Sequence, residues 1–277
     1  MLTGIHEVFF SATGTTEKIV KTVSEVLSEA LLLPVVTTDF TLPAGRAKAP
    51  LFSENELVIF GTPVYAGRVP NVLLPFFKTL EGHGAPAVPV VLYGNRNFDD
   101  GLIELRNLLE ADGFRTIAGA AFIGEHAFSR ILGAGRPDAE DLEKAKDFAA
   151  ALAVILKKAQ EEGRRLPHPA AVEGCYPIRP YYTPRDRQGN PVNILKVKPK
   201  VDLQKCSRCG ICAKVCPMGS IDPADITLYT GICIKCGACE KKCPEGARYY
   251  DDPGYLYHRT ELEKGYTRRA EPSAFLP

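Results

Sequence analysis

The sequence predicts an α/β protein: a doubly wound, five-stranded parallel sheet in the order 2-1-3-4-5, followed by a small α+β unit organised by cysteines. Three observations predict it. Strand and helix signals alternate over residues 1–163, a hydroxyl-rich loop (Ser11-Ala12-Thr13-Gly14-Thr15-Thr16) follows the first strand signal, and eight of the nine cysteines fall within residues 206–243. Such alternation argues for parallel strands covered by helices on both faces. The crevice of such a sheet lies at the carboxyl ends of its strands.

Residues 5–10 form a short apolar strand. Ile19, Val20, Val23, Val26, Leu27 and Ala30 then recur at helical spacing until Pro34, which cannot continue a helix. Residues 35–38 give a second strand, and residues 57–60 a third, expected to stop at Gly61. A helix is expected over about 71–80, and a fourth strand over 88–93 despite Pro89. Leu102, Leu105, Leu108 and Leu109 make one helical face closed by Gly113, and residues 114–123 form a fifth strand. The last helix of this part, residues 138–163, buries Leu142, Ala145, Phe148, Ala149, Leu152 and Ile155.

The chain therefore divides into an α/β domain at 1–163, a proline-rich connector at 164–199, a compact cysteine-rich domain at 200–250 and a tail at 251–277. Seven prolines stand in the connector, which is expected to lie extended along the surface. The tail has no core of its own, and its tyrosines 255, 257 and 266 favour packing back over disorder. At 277 residues, a prior of about 150 residues per domain gives roughly two domains.

Apolar residues are 45% and charged residues 24% of the chain, with a net charge of +1. That balance gives no reason to expect nucleic acid or an anionic membrane as partner. No run of 18 apolar residues exists and no basic-then-apolar leader opens the chain, so a cytoplasmic protein is expected. The charge is unevenly spread: net −6 over residues 1–163, +5 over 164–199, +3 over 200–250 and −1 over 251–277. Opposite signs suggest that the cysteine-rich domain docks on the acidic one, within one chain or in a homodimer; charges simply facing solvent are the competing reading.

The cysteines fall in two runs, Cys206-x2-Cys209-x2-Cys212-x3-Cys216-Pro217 and Cys233-x2-Cys236-x2-Cys239-x3-Cys243-Pro244. Steps of three wrap a tight turn whose thiolates converge. Zinc is the alternative, but zinc sites use separated cysteine pairs without a third in phase. Cys175 has no partner motif and reads as an inert, partly buried thiol. The doubled run resembles bacterial two-[4Fe–4S] ferredoxins over about 50 residues. The resemblance implies that Cys206, Cys209, Cys212 and Cys243 hold one cluster, and Cys233, Cys236, Cys239 and Cys216 the other. Carrier ferredoxins of this type are acidic, whereas Lys205, Arg208, Lys214, Lys235, Lys241, Lys242 and Arg248 make this segment basic and favour an acidic redox partner.

The loop of Ser11, Ala12, Thr13, Gly14, Thr15 and Thr16 suits a phosphate monoester at a helix N-terminus, though such a run also serves as a plain helix cap. Neither a G-x-x-x-x-G-K-[ST] nor a G-x-G-x-x-G run is present. Two more loops overhang the same crevice: Thr62, Pro63, Val64, Tyr65, Ala66, Gly67 and Arg68 after strand 3, and Gly94, Asn95, Arg96, Phe98 and Asp99 after strand 4. Each carries one aromatic, Tyr65 or Phe98, able to flank a planar ring or to serve as core. This part resembles the flavodoxin family over most of residues 4–163. The whole resembles flavodoxin–ferredoxin fusions of anaerobic bacteria and archaea.

The resemblance implies FMN in those three loops, Tyr65 and Phe98 as its stacking pair in a chain without tryptophan, and Ala66-Gly67 as a peptide that flips with the flavin's redox state. His126, after strand 5, is a candidate proton donor to flavin or substrate, or a plain loop histidine. The expected function is electron transfer between two [4Fe–4S] clusters and FMN in low-potential anaerobic metabolism. The alternatives are an FMN-dependent reductase of a small organic acceptor and a redox-sensing module.

Overall fold

The structure, a computed structural model, describes residues 1–277. β1 (Gly4–Phe9) leads into α1 (Thr15–Leu31), whose buried Ile19, Val20, Val23 and Leu27 are the expected apolar face. Leu32 closes the helix in the left-handed conformation, two residues before Pro34. β2 (Val35–Asp39) and β3 (Glu56–Pro63) follow, then α2 (Leu74–Phe77), β4 (Pro86–Tyr93), α3 (Gly101–Ala111), β5 (Arg115–Thr116), β6 (Gly119–Ile123) and α4 (Ala139–Glu161). α4 starts in a capping box between Asp138 and Asp141.

The strands pair in the order β2-β1-β3-β4-β6, all parallel, the flavodoxin-like order expected. One face packs on α1 and α4 through residues such as Ile19, Leu27, Phe148 and Leu152. The other packs on α3 and a phenylalanine cluster, in which Phe40 and Phe76 stack at 4.6 Å. No helix is long and apolar enough to cross a membrane.

Four details depart from the sequence expectations. β3 runs through Gly61 to Pro63, because this glycine lets α1 lie close: a Cβ there would meet Val20 at 2.3 Å. The helix expected over 71–80 shrinks to a 3₁₀ turn and the four residues of α2, since Pro75 interrupts the hydrogen-bond ladder. The fifth strand breaks into β5 and β6, where Thr116 gives its N–H and hydroxyl to Glu110. The sheet is also wider than the five parallel strands expected, because the C-terminus contributes an antiparallel edge strand.

The connector follows the surface of the α/β part. Asp100 receives the backbone N–H groups of Cys175 and Arg179, each at 2.9 Å, and Tyr181 donates to the Val69 carbonyl. The cysteine-rich segment holds β7 (Lys200–Val201), α5 (Ile211–Lys214), α6 (Ala238–Lys241) and β8 (Arg248–Tyr249), with β7 and β8 antiparallel. The tail packs back as α7 (Pro253–Gly265) and β9 (Ser273–Phe275), the latter pairing with β6. Tyr255 is fully buried and stacks on Tyr250 at 3.9 Å, so the tail closes over the cysteine-rich segment as well.

Candidate cofactor cleft and cysteine cavities

At the carboxyl ends of β1, β3, β4 and β6 the chain forms a cleft of about 250 Å³. Ala12, Thr13, Thr15 and Thr16 line it from the loop before α1; Pro63, Val64, Tyr65, Ala66 and Gly67 from the end of β3 and the turn after it; Gly94 and Arg96 from the loop after β4; and His126 from the loop after β6. Gly14 caps α1 with no side-chain acceptor, and the N–H groups of Thr15 and Thr16 have no protein partner. These donors form the positive end of a 17-residue helix.

Seven predicted residues lie off the cleft lining. Ser11 caps α1 by accepting from the Glu17 N–H at 3.0 Å, and Gly14 faces open space beside it. Thr62 is fully buried, its hydroxyl without a partner. The side chains of four others are committed to partners outside the cleft lining. Arg68 pairs with Glu104 and lies over the Tyr181 ring at 4.5 Å. Asn95 donates to the Tyr266 and Arg268 carbonyls and accepts from the Ala270 N–H, anchoring the tail. Asp99 pairs with Arg96. Phe98 packs into the core against Tyr93 at 5.6 Å, so it does not reach a ring in the cleft.

The remaining walls come from segments that the sequence did not place at the cleft. Tyr182, Pro184, Ile194 and Leu195 of the connector, Ile234, Lys235 and Cys236 of the cysteine-rich segment, and His258 and Leu262 of α7 all face the cleft, joined by Phe128. Arg96 lies over the Tyr182 ring at 4.8 Å. The Tyr182 N–H donates to the Ala66 carbonyl at 2.8 Å, so the peptide expected to flip is tied to the connector. The aromatic walls were legible only as scattered tyrosines without a periodic pattern.

Burial, with the thiol of Cys236 nearby, holds the Tyr65 phenol well above its usual range. His126 is pushed down to about 3 by burial and then by Lys241, His258 and Arg96. Its Nδ1 accepts from the Phe128 N–H at 3.1 Å, which leaves Nε2 carrying the hydrogen. A neutral imidazole can donate a hydrogen bond, but it holds no acidic proton to give at neutral pH.

The eight clustered cysteines surround two small cavities. Cys206, Cys209, Cys212 and Cys243 line one, and Cys216, Cys233, Cys236 and Cys239 the other. The two motifs repeat one backbone course: Arg208 and Lys235 have φ of 57° and 55°, and Gly210 and Gly237 cap α5 and α6 at 73° and 77°. Amide N–H groups of Arg208, Ser220 and Ala247 point at the sulfurs of Cys206, Cys216 and Cys243 at 3.3–3.4 Å. Burial pushes the Cys236 thiol up to about 12 and that of Cys239 higher still. Each cavity is thus bounded by four thiols, three from one motif and the fourth from the other. Cys175 is exposed rather than partly buried as expected, because the connector that carries it lies on the surface, and it is far from both motifs in sequence.

The cysteine-rich segment is seated directly on the cleft. The Lys241 ammonium is nearly buried, pairing with Glu125 and donating to the carbonyls of His126 and Ser129 at 2.8 Å. At Gly237 a Cβ would meet the Ala127 carbonyl oxygen at 2.4 Å, so this contact requires glycine. Cys236 and Ala238 belong to the same apolar core as β1, β3 and α3.

Residues 199–222 and 226–249 each match the family described as 4Fe-4S binding domain. No curated protein matches the chain. Among solved structures, a flavodoxin from Streptococcus pneumonia TIGR4 is similar at 22% identity, covering 55% of this chain and 98% of that one, with a TM-score of 0.38. Oxidised Flavodoxin 2 from Bacillus cereus shares 19% identity over 56% of this chain and 99% of that one, TM-score 0.41. The fold rests on the strand order itself rather than on these likenesses. By that order and by the doubled family match, the chain joins a flavodoxin-like α/β domain to a C-terminal, ferredoxin-type segment that matches the 4Fe-4S binding domain family.

Proposed function

We propose that this protein is an electron carrier whose cysteine-rich segment holds two [4Fe–4S] clusters and whose cleft holds FMN, with electrons exchanged between them. One observation carries the reading: Cys236 lines both the second cysteine cavity and the cleft. A cluster ligand there stands at the wall of the flavin site, with no long protein path between.

The residues fit both groups. Eight thiols in two sets of four, with amide N–H donors to sulfur, match the donor chemistry of cubane clusters. For the flavin, Thr13 and Thr15 offer hydroxyls and the first turn of α1 offers unpaired N–H groups to a phosphate. Tyr65, Phe128, Tyr182, Leu195 and Ile234 give apolar walls for a flat ring. When bound, these groups supply one- and two-electron chemistry. The chain's own part is to orient them, exclude water through the connector and α7, and present the Nε2–H of neutral His126 as a hydrogen-bond donor in the cleft.

Anaerobic purification with iron, sulfide and flavin analysis tests this directly. The expected result is about eight irons and one FMN per chain. Oxygen-protected protein with about two metal ions and no sulfide overturns the cluster assignment; clusters without bound flavin overturn the cleft assignment.

A further inference from the structure

The two cysteine motifs are repeats, and among the positions where they differ one sets an alkyl group in one half against a guanidinium in the other. Five residues after the last cysteine of each motif stand Ile221 and Arg248, both 3% exposed. Ile221 lines the cavity of Cys216, Cys233, Cys236 and Cys239, while Arg248 lines that of Cys206, Cys209, Cys212 and Cys243. Equivalent places in the two halves thus hold an alkyl group beside one thiol set and a guanidinium beside the other.

Arg248 donates to the Cys212 sulfur at 3.1 Å, the Ile226 carbonyl at 2.5 Å and the Tyr229 hydroxyl at 3.2 Å. Its Nε has no partner, and no carboxylate pairs with it. A guanidinium is always charged, and burying one without a counter-anion is costly. The anion it faces is the thiolate set, which retains net negative charge when it holds a [4Fe–4S] core. Each added electron makes that group more negative, and a fixed cation in a low-dielectric site stabilises the added charge.

We propose that Arg248 makes the cluster of Cys206, Cys209, Cys212 and Cys243 the easier of the two to reduce, so that electrons rest there and reach the cleft through the second set. Each cluster takes one electron from a low-potential, one-electron donor, with no bond made or broken. The proposal rests on the two-cluster reading above. Its consequence is a division of labour: the set remote from the cleft stores the electron, and the set that includes Cys236 relays it.

Stepwise anaerobic reduction of the full chain with a low-potential titrant, followed by electron paramagnetic resonance and paired with iron analysis, tests it. The unmutated protein is expected to reduce in two separated steps. In Arg248→Met the earlier step should shift to more negative potential, toward the later one, whereas Arg248→Lys, which keeps the charge, should stay near the unmutated value. Unmutated protein that holds no iron overturns the two-cluster reading. A fully loaded Arg248→Met whose earlier step does not move overturns only the role of Arg248. Should Arg248→Met lose iron, Arg248→Gln replaces it under the same criterion. Loss of iron from both neutral variants with retention in Arg248→Lys supports the charge role, and loss from all three overturns it.

Discussion

Asp100 shows how one side chain holds a connector in place. It is almost fully buried and accepts from the N–H groups of Cys175 and Arg179 and from the Arg179 guanidinium at 2.7–2.9 Å. The Arg179 hydrogen bonds hold its carboxyl far below the usual range. A depressed carboxylate contributes stability above its unfolded value, near pH 4, and loses it as pH falls through the folded value. Asp100→Asn is expected to cost about 1–3 kcal/mol at neutral pH and to speed proteolysis within residues 170–185. Unchanged cleavage there would contradict the anchoring role. Asp112 works in the opposite sense. Burial raises it to about 6, and its Oδ2 has no partner. The folded state therefore binds a proton more tightly than the unfolded one. That contribution is complete below about pH 4 and is lost as pH rises through about 6. Asp112→Asn should remove the resulting slope from the stability profile and gain about 1 kcal/mol at pH 7, allowing for its partial exposure. Neither carboxylate was legible in the sequence, because what sets each apart is burial and the chain segments that reach it.

Elements were legible where a repeating pattern met one environment. The apolar faces of α1 and α4, the parallel strands and both cysteine runs follow from spacing alone, since periodicity reports which side is buried. α2 and β5 were not, because Pro75 and the Thr116–Glu110 bonds act within one or two residues, below the reach of a periodic signal. The tail had no pattern at all. Its place is set by partners far along the chain: Asn95 grips the carbonyls of Tyr266 and Arg268, and Arg136 that of Ala270 at 2.7 Å. Tyr65 lines the cleft while Phe98 turns into the core, because a loop aromatic can face either way and only packing decides. Asn95→Ala is expected to raise amide hydrogen exchange across residues 266–275 while leaving α4 protected. Equal protection in both proteins would show that β9 pairing alone holds the tail.

At the scale of the whole molecule, the cysteine-rich segment meets the α/β part within one chain through a half-buried ion pair and an apolar seam. Lys241 is 11% exposed against Glu125, and Cys236 and Ala238 lie in the main core. An ion pair set beside an apolar seam is screened less than an exposed one, so raising ionic strength should leave electron exchange within the chain nearly unchanged, a result that would rule out docking by charge alone. Lys241→Met should loosen the seam by stranding Glu125, seen as faster exchange of amides around Ala127 and Gly237. The central claim is that a single chain brings a cluster ligand to the wall of the flavin cleft. Pulsed one-electron reduction of fully loaded, anaerobic protein tests it most directly, with cluster and flavin absorbance followed together. The account predicts equilibration between them at a first-order rate that does not change over a wide range of protein concentration. A rate that rises in proportion to concentration would mean that the electron passes between molecules, and would contradict it.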